Sequence, residues 1–149
     1  MAHSFSKIWI HAIWATKNRE NFIHSKIERT IFDIMKNEFE SSGCSVEIIN
    51  GMPDHVHCLF LLNPQKAISE IIKQVKGGSS HEINHKNISS EKFTWQTGFA
   101  AYSESEPQQK KVVQYIENQK QHHSSKTFQQ EYDEFFKLYG FEYTEKGNG

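Results

Sequence analysis

The chain has 149 residues, with 17 Lys and Arg against 18 Asp and Glu and a formal charge of −1 at neutral pH. That length holds one domain with a sizeable hydrophobic core, and no apolar stretch approaches the roughly 20 residues of a membrane span, which excludes a helical membrane protein. The charge balance argues against a uniformly basic nucleic-acid binder and confines any such role to a local basic face.

Met1-Ala2-His3-Ser4 lacks the basic-then-apolar layout of a signal peptide. Cys44 and Cys58 show no CxxC spacing, so two reduced thiols and a cytoplasmic location are expected. Residues 5–16, from Phe5 to Thr16, are rich in aromatic and β-branched types and predict a first strand. Lys17 to Asn21 is a polar loop. Ile27, Ile31, Ile34, Met35 and Phe39 then recur at helical spacing, with Ser25 as N-cap and Gly43 as stop. Cys44 to Asn50 predicts a second strand, Gly51-Met52-Pro53-Asp54 a turn, and His55 to Leu62 a third strand antiparallel to the second. A second helix starts near Ala67 and runs through Ile68, Ile71, Ile72 and Val75 into Gly77-Gly78-Ser79-Ser80. Phe93 to Tyr102 predicts a fourth strand, interrupted by Gly98. Pro107 suits the first turn of a helix over about 107–123 that carries Val112, Val113, Ile116 and Gln119, and a last amphipathic helix spans about 128–139. Trp9, Trp14 and Trp95 read as core. The order β-α-β-β-α-β followed by helices predicts an α+β, ferredoxin-like antiparallel sheet in a single domain over residues 1–149.

His55-Val56-His57 is the sharpest local signal. Side chains on a strand alternate with period two, so both imidazoles leave one face and can converge on an ion. The same pair can equally pack and hydrogen-bond with no metal. Tyr115 and Gln119, four residues apart, place a phenol and a carboxamide one above the other on a helix. Tyr115 breaks an apolar stripe, and a core tyrosine with a hydrogen-bonded hydroxyl would look the same.

Taken together these segments resemble the single-tyrosine HUH transposases, the TnpA-type enzymes of small bacterial insertion sequences. The resemblance runs from Lys7 to Tyr143. It comprises Lys7 to Arg19, Gly51-Met52-Pro53-Asp54-His55-Val56-His57, Lys76-Gly77-Gly78-Ser79-Ser80, Trp95-Gln96-Thr97-Gly98-Phe99, Tyr115-Ile116-Glu117-Asn118-Gln119, His122-His123, and Glu131-Tyr132 through Tyr143. It implies His55, His57 and Gln119 as ligands of Mg²⁺ or Mn²⁺ and Tyr115 as the nucleophile. It implies nicking and rejoining of single-stranded DNA at hairpin-marked ends through a 5′-phosphotyrosine. It also implies a homodimer whose tyrosine helix can complete the partner's site. Tyr102 is a second phenol in the predicted fourth strand, but only Tyr115 has Gln119 at a helical offset.

The basic residues cluster as the charge balance requires. Lys17 and Arg19 share a loop, Lys73 and Lys76 a helix, and Lys110 and Lys111 open the tyrosine helix, as candidate DNA contacts. Glu131, Asp133, Glu134, Glu142 and Glu145 form an acidic C-terminal counterweight. Backbone N–H groups around Ser79 and Ser80 could meet phosphate, or those residues could simply end a helix. His81, His85, His122 and His123 match no structural zinc spacing. Three alternatives stay open: a relaxase or replication initiator, a non-catalytic nucleic-acid-binding module, and a small metal-dependent hydrolase.

Overall fold

The computed structural model describes residues 4–122 and 127–139, and within these the side chains of all but residues 122 and 135–139. Four strands, β1 (Trp9–Ala15), β2 (Val46–Met52), β3 (His55–Leu61) and β4 (Ala100–Glu104), form one sheet in the order β2-β3-β1-β4. Every neighbouring pair is antiparallel. Helices α1 (Glu28–Ser41) and α2 (Ile68–His85) supply the crossovers, so the predicted α+β, ferredoxin-like topology is observed. Three further helices follow β4: α3 (Gln109–Glu117), α4 (Gln119–His122) and α5 (Phe128–Tyr139).

The strand register explains why β1 reads as a continuous aromatic run instead of an alternating one. Both of its faces are covered. Ile10, Ala12 and Trp14, with Val56, Cys58 and Phe60 of β3, point into a large core against Ile31, Met35 and Phe39 of α1 and Ile71, Ile72, Val75 and Ile83 of α2. The opposite face carries two smaller clusters. Trp9 and Leu59 pack with Ile116, while Ile13, Ala100 and Tyr102 pack with Phe128 and Tyr132. Trp9, Trp14 and Trp95 are all buried, as expected of core residues.

Several local expectations are corrected. Helix α1 begins at Glu28, not after Ser25; the N–H groups of Ile27 and Glu28 both bond the His24 carbonyl at 3.0 Å, forming a turn before the helix. Gly43 does stop it, in the left-handed region with φ +78°. Helix α2 does not end at Gly77-Gly78-Ser79-Ser80 but runs through to His85, which commits those N–H groups to the helix and not to phosphate. Burial outweighs the low helix propensity of this stretch: Ser79 is buried and accepts Trp95 Nε1–H at 2.9 Å. Gly78 lies so close to α1 that an added Cβ would meet the Glu38 carboxylate at 2.2 Å. A Cβ on Gly77 would meet nothing within 4 Å. Gly77→Ala is therefore expected to raise stability by about 0.5–1 kcal/mol, measured by urea unfolding, because only the glycine's backbone entropy is removed.

The fourth strand is also shifted. It spans Ala100–Glu104; ahead of it the Phe93–Phe99 stretch makes an isolated antiparallel bridge between Trp95 and Thr16, and side chains hold the rest of its backbone. Asn84 bonds both the N–H and the carbonyl of Phe93, at 2.7 and 2.9 Å. Lys76 Nζ donates to the carbonyls of Gln96 (2.7 Å) and Gly98 (3.0 Å). Its ammonium is buried, and burial lowers it to about 8. Satisfying the backbone of an irregular loop is thus the visible job of Lys76.

Candidate active site

The β2–β3 hairpin sets the histidine pair. Gly51 lies so close to β3 that a Cβ there would sit 2.2 Å from the His55 carbonyl oxygen and 2.9 Å from Val56 Cα, so only glycine lets the strands approach this tightly. The turn is tied down from the far end of β1: Thr16 N–H bonds Asp54 O (2.9 Å) and Ile23 N–H bonds Pro53 O (3.0 Å). From this base His55 and His57 project from one face, as period-two alternation requires. That is the face of the two smaller apolar clusters. His11 joins them from β1, making a buried polar island between Trp9-Leu59-Ile116 and Ile13-Ala100-Tyr102.

Helix α3 is anchored over this island by Ile116, fully buried, with Val112, Val113 and Tyr115 around it. Its last turn is clamped to β2. Asn50 Nδ2 donates to the carbonyls of Ile116 (3.0 Å) and Glu117 (3.2 Å), and Lys120 Nζ reaches Asn50 Oδ1 (3.3 Å), the Gly51 carbonyl (2.5 Å) and Glu28 (3.0 Å). The predicted single helix over about 107–123 is broken. A 3₁₀ turn over Glu106–Gln108 contains Pro107, and the chain bends again at Asn118. The bend spares the pairing of Tyr115 with Gln119, because both still reach one acceptor.

That acceptor is Glu131 of α5. Tyr115 Oη donates to its Oε1 at 2.5 Å and Gln119 Nε2 donates to the same oxygen at 3.2 Å. His57 Nε2 stands 2.8 Å from that oxygen, and His55 Nε2 stands 4.0 Å from the other. The Tyr115 and His57 rings lie 5.8 Å apart edge to face, so the tyrosine faces the histidines of its own chain. Phe128 of α5 covers the His55 ring at 4.6 Å. Burial, and then the Glu131 carboxylate to which it donates, push the Tyr115 phenol up from its ordinary value.

Each histidine is also held from behind. His55 Nδ1 is 2.8 Å from Asp54 Oδ1, and His57 Nδ1 is 2.9 Å from His11 Nε2. Burial, reinforced by His57, holds His11 well below the ordinary imidazole range. One donor atom from each of His55, His57 and Glu131 lies within 4.8 Å of the others, close enough to share one ion. Gln119 Oε1 is buried with no hydrogen-bond partner among the described residues. A buried acceptor with nothing to accept is costly in an ion-free protein and useful beside a cation. Two imidazoles, a carboxylate and an amide oxygen suit Mg²⁺ or Mn²⁺ better than a thiolate-seeking metal.

The sequence had singled out His55, His57, Tyr115 and Gln119, and the fold brings all four together. It missed three groups. His11 is visible as the polar residue two places from Trp9 and Ile13 on an apolar strand. Asp54 was read only as a turn residue. Glu131 was counted with the acidic tail, although it lies three residues from Phe128 and one from Tyr132, on the buried side of its helix. Lys17, Arg19, Lys73, Lys110 and Lys111 are exposed, whereas Lys76 is turned inward. His81 and His85 stack at 5.9 Å on α2. The His122 side chain, His123 and the 140–149 segment lie outside the described residues.

The chain is similar to known proteins in sequence and in fold. The family model described as "Transposase IS200 like" matches residues 4–119, from before β1 to the amide of Gln119. The ISDra2 transposase TnpA of Deinococcus radiodurans is 27% identical over 114 residues, covering 73% of this chain and 81% of that protein. A crystal structure of a Deinococcus radiodurans protein assigned as a transposase superposes with a TM-score of 0.60 at 26% identity, over 80% of this chain and 95% of that one. A REP-associated tyrosine transposase, solved bound to a REP hairpin, shares the fold with a TM-score of 0.59 at 15% identity, over 83% of this chain and 74% of that one. With the matched span covering the whole sheet, the histidine pair and the tyrosine helix, the chain belongs to the IS200-like transposase family.

Proposed function

We propose that this transposase nicks and rejoins single-stranded DNA, with Tyr115 as nucleophile and a divalent-metal centre formed by His55, His57, Gln119 and Glu131. The observation that carries this is the convergence of Tyr115 Oη, Gln119 Nε2 and His57 Nε2 on one Glu131 oxygen, at 2.5, 3.2 and 2.8 Å. Two buried imidazoles and a buried carboxylate meeting a half-buried phenol are a costly arrangement for simple packing, which apolar side chains would fill more cheaply.

In the proposed reaction Tyr115 Oη attacks the scissile phosphorus. The new bond is a 5′-phosphotyrosine, the bond that breaks is to the 3′ oxygen, and the phenol proton ends, net, on the released 3′-OH. Attack by another 3′-OH on the phosphotyrosine reverses the step and reseals a strand with no nucleotide cofactor. A bound Mg²⁺ or Mn²⁺ supplies positive charge at the phosphate and at the leaving oxygen. His55 and His57 hold that charge with neutral nitrogens, Glu131 offsets it, and the α3 clamp at Asn50 fixes where the phenol stands. Lys17, Arg19, Lys73, Lys110 and Lys111 offer exposed cations for the DNA backbone. A homodimer fits the same scheme, since each chain carries one nucleophile and transposition exchanges two strands. The hairpin bound by the REP-associated relative supports a hairpin as substrate here.

The test is a denaturing gel of the protein with labelled single-stranded hairpins from its own element's ends, with Mg²⁺ or Mn²⁺. A covalent protein–DNA band that disappears in EDTA is the expected result. Hairpin binding with no adduct under any metal would instead favour a non-catalytic binding module.

A further inference from the structure

We propose that His11 is a positioning residue for this centre, selecting the tautomer in which His57 can bind a metal. The inference rests on the metal reading of His55 and His57 given above.

A neutral imidazole that offers its Nε2 lone pair to an ion must carry its proton on Nδ1. The Nδ1 atoms of the two histidines face different partners. Asp54 Oδ1, 2.8 Å from His55 Nδ1, can only accept, so it holds His55 permanently in the metal-binding tautomer. His11 Nε2, 2.9 Å from His57 Nδ1, can either donate or accept according to where its own proton sits. His57 Nε2 stands 2.8 Å from Glu131 Oε1 and His55 Nε2 4.0 Å from Oε2, and neither contact has hydrogen-bond geometry, so Glu131 does not decide where the His57 proton sits. A lone pair at His57 Nε2 requires the proton on Nδ1, with His11 Nε2 as its acceptor. His11, enclosed on β1 and held edge-on to Tyr102 at 5.5 Å, is fixed in place to accept it.

The test pairs two variants. His11→Leu keeps much of the volume and can neither donate nor accept. His11→Gln places a carboxamide near the former Nε2 and can do both. Mn²⁺ affinity is read from the electron paramagnetic resonance signal of free Mn²⁺, with no DNA present. His11→Leu should bind Mn²⁺ about 10–100-fold more weakly than the native chain, the usual cost of an outer-shell partner. His11→Gln should stay within about threefold, because it restores the hydrogen bond in either direction. Nitrogen-15 spectra of the native protein in excess Mg²⁺ should show His57 protonated at Nδ1, a readout that needs no variant to fold. Native affinity in His11→Leu would overturn the proposal, as would equal losses in both folded variants or an unprotonated His57 Nδ1 in the loaded protein. If His57→Ala binds Mn²⁺ like the native chain, the metal centre itself fails and this inference with it. Loss in His57→Ala but not in His11→Leu would defeat the role of His11 alone.

Discussion

Replacing Tyr115 by phenylalanine is expected to abolish the covalent protein–DNA adduct, a loss of roughly 10⁴-fold or more, the scale seen when a nucleophile is removed. The fold should survive. The substitution removes one donor to Glu131, whose carboxylate keeps Gln119 Nε2 at 3.2 Å and His57 at 2.8 Å, and it leaves the Val112-Val113-Ile116 anchor untouched. A change of about 1.5–3 kcal/mol in unfolding free energy is the expected scale for losing a hydrogen bond to a charged group. Tyr102→Phe is the control. Tyr102 is buried in β4 with its ring edge-on to His11 at 5.5 Å. An adduct that survives Tyr115→Phe and vanishes in Tyr102→Phe would transfer the nucleophile's role to the strand. The same gel lane with Tyr115→Phe also separates chemistry from binding, since the variant should still shift a hairpin in a native gel.

The residues that sequence alone exposed are those whose meaning is local. His55 and His57 are two apart on a strand, and Tyr115 and Gln119 are four apart in a helical stretch, so each pair declares a shared direction from spacing alone. The order of strands and helices was legible for the same reason, since periodicity and Gly51-Met52-Pro53-Asp54 mark it directly. What stayed hidden depends on contacts between distant segments. Nothing within Gly77-Gly78-Ser79-Ser80 says that Ser79 will receive Trp95 and that Glu38 will lie over Gly78, which is why a helix continues where propensity would stop it. Nothing within Phe93 to Phe99 says that Asn84 and Lys76 will satisfy much of its backbone, leaving only Trp95 bridged to the end of β1. Glu131 is the costliest omission. An acidic residue in an acidic segment looks like solvated surface until α5 folds back and carries it, with Phe128, onto the histidines.

In the proposed metal centre the largest expected effect on metal binding belongs to the removal of Glu131. Glu131→Ala should weaken Mn²⁺ binding on the order of 100-fold or more, beyond the usual cost of an outer partner. The reason is electrostatic: among the described residues Glu131 is the carboxylate facing the Nε2 atoms of both histidines, and its charge would offset the ion's beside two buried imidazoles. Gln119→Ala removes a neutral oxygen and the 3.2 Å bond that orients the carboxylate. It should cost less affinity than Glu131→Ala, and Gln119→Glu should recover or exceed native affinity by adding charge at the same place. Calorimetry of Mn²⁺ binding to the three DNA-free variants orders them. If Glu131→Ala binds as the native protein does while Gln119→Ala fails, the carboxylate is only a resting partner for Tyr115 and the amide is the third ligand. If both fail to the same extent, each supplies a ligand, and the single oxygen that Tyr115, His57 and Gln119 now share must turn toward the ion when it binds.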